Sequence, residues 1–157
     1  MQPSNDEILT AYHEAGHAVV ALALGRPVHR VSILANGTRL GQCELQKGRF
    51  KPSKDSLETE VLILLAGLAA EARLSGHYAH NGAARDLRQA RMLTASRAGS
   101  DRQAERLERR MLDKTEHLLH DEAHWAAVQR IAAELLQHQT ISGRAARHHF
   151  DQALAQV

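Results

Sequence analysis

The sequence predicts a mainly α-helical domain, α+β in detail, with a small β-hairpin or sheet near its N-terminus. Three observations carry that expectation. Aromatic residues are 3% of the chain and hydrophobic residues 43%, many of them Ala and Leu, a balance that favours helix over sheet. Apolar stripes at helical spacing recur along most of the length. Asn36-Gly37, a strong hairpin signal, sits between two short stretches that can pair. At 157 residues the chain is a single domain of ordinary size, long enough for a real core.

The elements follow in order. Ser4 followed by Glu7 is a capping box, so the first helix is expected over residues 5–24, ended by Gly25 and Pro27. Residues 28–34 alternate as a strand, 35–38 supply the turn, and 40–45 return as the second strand. A basic, polar loop covers 47–54. Asp55 with Glu58 marks a second helix start, and Gly76 stops that helix after Ser75. Its residues 61–70 are apolar on every side, as in a helix at the buried centre of a domain. Glu71 and Arg73 then appear abruptly. Glu71 is either a helix end meeting solvent or a carboxylate taking the second N–H of a metal-bound histidine.

Residues 77–82 are expected as a loop and 86–94 as a helix with Asp86, Ala90 and Leu93 on one face. A carboxylate on that face points inward, where it needs a partner or a metal. Gly99-Ser100-Asp101 breaks the chain. Two amphipathic helices follow over 101–120 and 122–138, striped by Leu107, Met111 and Leu118 and by Trp125, Val128, Ala132 and Leu135. Ile141-Ser142 opens a short last helix ending near Ala155. Residues 1–98 hold the candidate site and core, and 99–157 the C-terminal helices.

The chemistry concentrates in His13-Glu14-Ala15-Gly16-His17, which fits H-E-x-x-H. Four helical residues advance the chain about 6 Å and turn it slightly more than once. His13 and His17 therefore project from nearly the same face and can share a metal. Zinc suits paired imidazoles, and a catalytic site keeps one position for water. Glu14 lies roughly 60° further round the helix than His17. That is too far to join both histidines as a third ligand, but close enough to take a proton from water. The pattern arises by chance in roughly one in twenty chains of this composition, so its context decides. Ile8, Leu9, Tyr12, Gly16, Val19, Val20 and Ala23 form one apolar face with His13 and His17 at its edge. That is how a cleft wall is built. Two surface histidines on an amphipathic helix are the plainer alternative.

Several classes are disfavoured. Net charge is +2 and the pI near 9.0 comes without a concentrated basic block, so no nucleic acid is expected. The one cysteine, Cys43, cannot form an internal disulfide, which points to a reducing compartment. It reads as a small buried hydrophobe rather than a nucleophile. The N-terminus is polar and is no signal peptide. The apolar run at 61–70 is about half the length that spans a bilayer. A cytoplasmic chain without a membrane segment is expected. No P-loop occurs, so Asp121-Glu122-Ala123-His124 is not read as a helicase box. His117, His120 and His124 fall on one helical face and could bind a metal, but they lack a base placed like Glu14. Residues 141–147 could open a DNA-recognition helix, though lone basic helices are common.

Thr10-Ala11-Tyr12-His13-Glu14-Ala15-Gly16-His17-Ala18-Val19-Val20 resembles the zinc helix of the FtsH-type ATP-dependent metalloproteases. Three later stretches resemble that family in the same order. Val31-Ser32-Ile33-Leu34 to Gly41 is similar to its strand pair beside the cleft. Ala66-Gly67-Leu68-Ala69-Ala70-Glu71 is similar to its buried helix. Gly82-Ala83-Ala84-Arg85-Asp86-Leu87-Arg88-Gln89-Ala90 is similar to the segment carrying its third metal ligand. Thr140-Ile141 resembles its closing element. The resemblance implies an FtsH-like peptidase fold, Zn²⁺ as cofactor, His13, His17 and Asp86 as ligands, Glu14 as general base, and Glu71 close to the metal. Gly41, Gln42, Cys43, Glu44 and Leu45 are expected to hold a polypeptide substrate by β-augmentation if that strand is an exposed edge. The 157 residues show no counterpart of the family's membrane anchor or AAA ATPase module. The expectation is therefore ATP-independent hydrolysis of unstructured polypeptide, with an ATPase in trans and an oligomer as possible partners. The competing class is a regulatory or DNA-binding helical module with a structural or vestigial zinc site.

Overall fold

A computed structural model of the chain describes residues 2–36, 40–47, 55–78 and 84–156. Helix α1 (Asn5–Ala23) starts on the expected capping box: Ser4 Oγ accepts the Glu7 N–H at 3.1 Å, and the Glu7 carboxylate reaches back to the Ser4 N–H. It ends one residue early, at a Leu24 cap followed by Gly25 with φ +82°. Ala11, Ala15, Ala18, Val19 and Ala21 are fully buried, which makes α1 a central helix of the molecule. Helix α2 (Ser56–Ser75) is capped by Asp55, which accepts the Glu58 N–H at 3.0 Å. Gly76 ends it in the left-handed conformation, φ +87°, that an L side chain resists. The apolar 61–70 run is almost entirely buried, as expected. Helices α1 and α2 pack on one another at close range because the contact residues are small. A methyl group added at Gly16 would lie 2.7 Å from both the Ala66 carbonyl oxygen and the Ala70 Cβ.

The sheet keeps the expected strand pair but differs from the expected hairpin in strand length and in strand number. Strands β1 (Val28–Ser32) and β2 (Gln42–Leu45) pair antiparallel, Val31 opposite Cys43 and Ser32 opposite Gln42, with a bulge between Val28 and Arg30. Both strands are shorter than expected. Gly37 of the turn signal, residues 48–54 of the basic loop, and 79–82 of the second loop lie outside the described residues. Ile141-Ser142, expected to open the last helix, lie with Thr140 in a third strand, β3, and Ser142 also caps that helix. Strand β3 pairs antiparallel with β1, Ile141 opposite Val31. Val31 is fully buried at the middle of the order β2-β1-β3. Three residues without a partner have too little pattern to read as a strand. Strand β2 is an edge, paired on one side only among the described residues.

Helix α3 (Ala84–Arg97) packs on α2, and α4 (Asp101–His120) packs on both. The buried stripe of α4 is Met111, Thr115 and Leu119, not Leu107, Met111 and Leu118, both of these leucines being only half-buried. Thr115 is fully buried although polar: its hydroxyl donates to the Met111 carbonyl at 2.9 Å, which leaves its methyl group free to pack. Helix α5 (Glu122–His138) packs on α1 through Val128, Ile131, Ala132 and Leu135 on its buried side. Arg73 of α2 donates to the Leu119 carbonyl at the end of α4 and lies over the Trp125 ring, 4.4 Å from its centroid. Helix α6 (Gly143–Ala155), capped by Ser142, buries Ala146, Phe150 and Ala153. His117, His120 and His124 do not share one helix, because Asp121 is extended and separates α4 from α5. The ring N–H groups of His120 and His124 donate to the Glu116 and Leu118 carbonyls. Among the described residues, no helix is long and apolar enough to cross a membrane.

Candidate metal centre

The i, i+4 spacing on α1 brings His13 and His17 edge to face, with ring centroids 4.6 Å apart. Their Nε2 atoms are 3.0 Å from each other. Asp86, in the first turn of α3, places Oδ2 3.0 Å from His13 Nε2 and 3.0 Å from His17 Nε2. The three atoms form an equilateral triangle. Helix α2 holds the far side of both rings. His13 Nδ1 donates to Glu71 Oε2 at 2.9 Å, and His17 Nδ1 to the Ile63 carbonyl oxygen at 2.6 Å. Glu71 is 7% exposed, so of its two readings the buried partner is the one observed.

A carbonyl oxygen only accepts, so His17 Nδ1 carries the hydrogen and its Nε2 carries the lone pair. Glu71 imposes the same tautomer on a neutral His13. Two imidazole lone pairs and a carboxylate oxygen then converge on one point, which requires a cation there. With a proton as that cation, His13 is pushed up to about 10: burial acts to lower it, and hydrogen bonds to Asp86 and Glu71 with the nearby Glu14 charge more than reverse this. Burial likewise acts to raise the Asp86 carboxyl, but its contacts with His13 and His17 hold it well below the usual carboxylate range. The donor set also fits zinc. Ligand atoms about 2.0–2.1 Å from a tetrahedral zinc lie about 3.3 Å apart. The observed 3.0 Å spacing is a few tenths of an ångström short of that.

Glu14 is 6% exposed, and its carboxylate lies within 4.8 Å of ligand atoms of both histidines. No hydrogen bond to a described residue ties it down, and it makes none of the 3.0 Å contacts that Asp86 makes. Proximity alone would make Glu14 the third member of the cluster, but the shorter contacts single out Asp86. Burial pushes the Glu14 carboxyl up, partly offset by the two histidines. All of these groups face a cleft of about 520 Å³ between α1, α2, α3 and β2. Gly41, Gln42, Cys43 and Leu45 line it, whereas Glu44 does not and pairs with Arg30 of β1 at 2.8 Å. The Cys43 thiol is pushed up by burial, then by the Glu14, Asp86 and Glu44 charges, which keeps it protonated and suits a packing residue better than a nucleophile.

Sequence reasoning passed over Ile63, Thr10 and Leu64, all of which line the cleft. The Ile63 contact is made by a backbone carbonyl, which leaves no mark on residue type. Its one trace is spacing: Ile63, Gly67 and Glu71 are four residues apart and so share the α2 face that meets the histidines.

Comparison with known proteins gives the chain a family. Residues 1–98 match the family described as Peptidase family M41. The ATP-dependent zinc metalloprotease FtsH 1 of Thermomicrobium roseum is 40% identical over 92 residues, 56% of this chain and 14% of that protein. The FtsH of Magnetococcus marinus is 51% identical over 67 residues, 40% of this chain and 10% of that protein. FtsH 4 of Sorangium cellulosum is 38% identical over 86 residues, 52% and 13% respectively. The matched stretch is thus a small part of each relative. It holds the H-E-x-x-H helix, the edge strand, the buried Glu71 and the inward Asp86 in one cleft, and the chain belongs to peptidase family M41.

Proposed function

We propose that this chain is a zinc-dependent metallopeptidase that hydrolyses peptide bonds in unstructured polypeptide. His13, His17 and Asp86 hold Zn²⁺ and Glu14 is the general base. The observation that supports this most directly is the 3.0 Å triangle of two imidazole nitrogens and one carboxylate oxygen, with an untethered glutamate beside it. Zinc, when bound, supplies Lewis acidity that polarises the scissile carbonyl and acidifies water. Glu14 takes the proton of the attacking water and delivers it to the leaving amine as the C–N bond breaks. Glu71 and the Ile63 carbonyl keep the two imidazoles in register. The side of β2 that is unpaired among the described residues, with Gly41 just before it, would offer backbone N–H and C=O groups to an extended substrate. An ATPase acting in trans would serve to unfold substrates, and self-association is compatible with this reading.

The test is zinc content together with casein cleavage, wild type against Glu14→Gln. The amide cannot accept the proton, so the variant keeps zinc and fold while kcat/KM falls about 10²–10⁴-fold. Full activity in that variant overturns the mechanism. Wild-type protein that holds zinc and cleaves nothing favours a regulatory role instead.

A further inference from the structure

Gly67 lies at the middle of the α2 face that meets the metal helix. A Cβ built there would stand 2.4 Å from His13 Nε2, 2.5 Å from its Cε1 and 2.7 Å from its Cδ2. Real Cβ atoms essentially never approach within 3.0 Å. The three atoms met are all in the imidazole ring, and the ring cannot yield in place. It is held at Nδ1 by Glu71 on the same helix, four residues on, and its Nε2 is one corner of the 3.0 Å triangle. From Gly67 the ring has one direction of escape, away from α2, and that breaks both contacts. Helix propensity argues the other way. Glycine inside a helix is disfavoured relative to alanine, and Gly67 sits in a long helix between Ala66 and Leu68, where alanine would otherwise be the better residue.

We infer that Gly67 is a positioning residue for the metal centre: its missing side chain is the space in which the His13 imidazole lies, and any side chain there displaces the His13 ligand nitrogen. Gly67 acts only through His13. This differs from Gly16, whose added Cβ would meet the Ala66 backbone and Ala70 rather than a ligand. The inference rests on the metal reading above.

The experiment uses the full 157-residue chain and four proteins: wild type, Gly67→Ala, His13→Ala and the double variant. Zinc affinity is read by competition with a chromophoric chelator. Thermal stability is read after exhaustive chelation, and the Co²⁺-substituted wild type and Gly67→Ala are compared by visible absorption. Gly67→Ala is expected to lose zinc affinity by about 10–100-fold, the range for groups that orient a ligand, and to change the Co²⁺ spectrum. It is expected to lower the metal-free melting temperature in the wild-type background, and to leave it unchanged or raise it in the His13→Ala background, where the clash is gone and only helix propensity remains. Wild-type zinc affinity in Gly67→Ala overturns the inference, as does an equal loss of melting temperature in both backgrounds, which marks general helix packing. If Gly67→Ala does not fold, the double variant decides: folding like His13→Ala supports the inference, and failure to fold overturns it. A wild type that takes up no zinc sinks the proposed function instead, a result separable from the His13–Gly67 coupling measured without metal.

Discussion

His13 has two ring nitrogens and both are committed, Nδ1 to Glu71 and Nε2 to the point it shares with His17 and Asp86. That division of labour orders the residues by consequence. Asp86 supplies one of three converging atoms, so its loss removes a third of the donor set. Asp86→Ala is expected to lower zinc affinity strongly, because two protein ligands do not make a site. Metal analysis on the purified variant checks this. One tightly held zinc per chain would mean that another carboxylate takes the third position, with Glu71 the first to examine. Glu14, beside the same atoms but untethered, is expected to behave in the opposite way, retaining metal when neutralised.

At the scale of elements, α2 serves both core and site. Its apolar run packs on α1 while Ile63 and Glu71, two turns apart, hold the histidines of that helix. Its start is fastened by Asp55, which caps the helix and pairs with Arg97 at the end of α3, 2.5 Å away. The Arg97 hydrogen bond, with the Glu58 amide, holds the Asp55 carboxyl below its ordinary value of 3.8. A carboxyl depressed in the folded state adds stability above its unfolded pKa and loses it as pH falls through the folded one. Asp55→Asn keeps a capping side chain but not the charge. Its melting temperature is therefore expected to lie below wild type above pH 4 and to converge with it as pH drops toward 2. The carboxylate is about one-third exposed and its Arg97 partner about half, so the difference is small and shrinks further with salt. A constant difference across that range would mean that the charge contributes nothing.

At the scale of the molecule, residues 99–157 complete the part that carries the site. Helix α5 packs on α1, α4 on α2, and β3 pairs with β1. We therefore read the chain as a single domain. Truncation after residue 98 is expected to abolish the cooperative melt, measured by circular dichroism. A cooperative melt with zinc retained would instead make residues 1–98 a unit of their own. The proposed peptidase activity carries an expectation about substrate at this scale as well. A cleft that takes extended backbone finds little of it in a folded protein. For a substrate several kcal/mol stable, the open fraction is roughly 10⁻³ or less, and cleavage waits for it. No P-loop occurs in the 157 residues. The purified chain is expected to digest a destabilised, unfolded mutant of a small domain and leave its stable parent mostly intact, with ATP making no difference. Equal digestion of both, or stimulation by ATP, would sink that expectation.

What was legible in the sequence is what a few neighbouring residues decide together. Ser4 with Glu7, Asp55 with Glu58, and Gly76 set helix ends because caps act within one turn. The His13 and His17 spacing set a shared face because helix periodicity is local. The inward carboxylate of Asp86 was also readable, from the apolar residues that share its face. The tertiary structure alone decided the rest. Glu71 could have met solvent; it meets His13 because Gly16 and Gly67 let α1 and α2 approach. The Ile63 carbonyl holds His17 through an atom that every residue has. Thr140–Ser142 became a strand only because β1, more than a hundred residues earlier, offered it an edge. Short-range order is written in residue type, whereas a contact between distant segments exists only once the packing of all of them has fixed the distance.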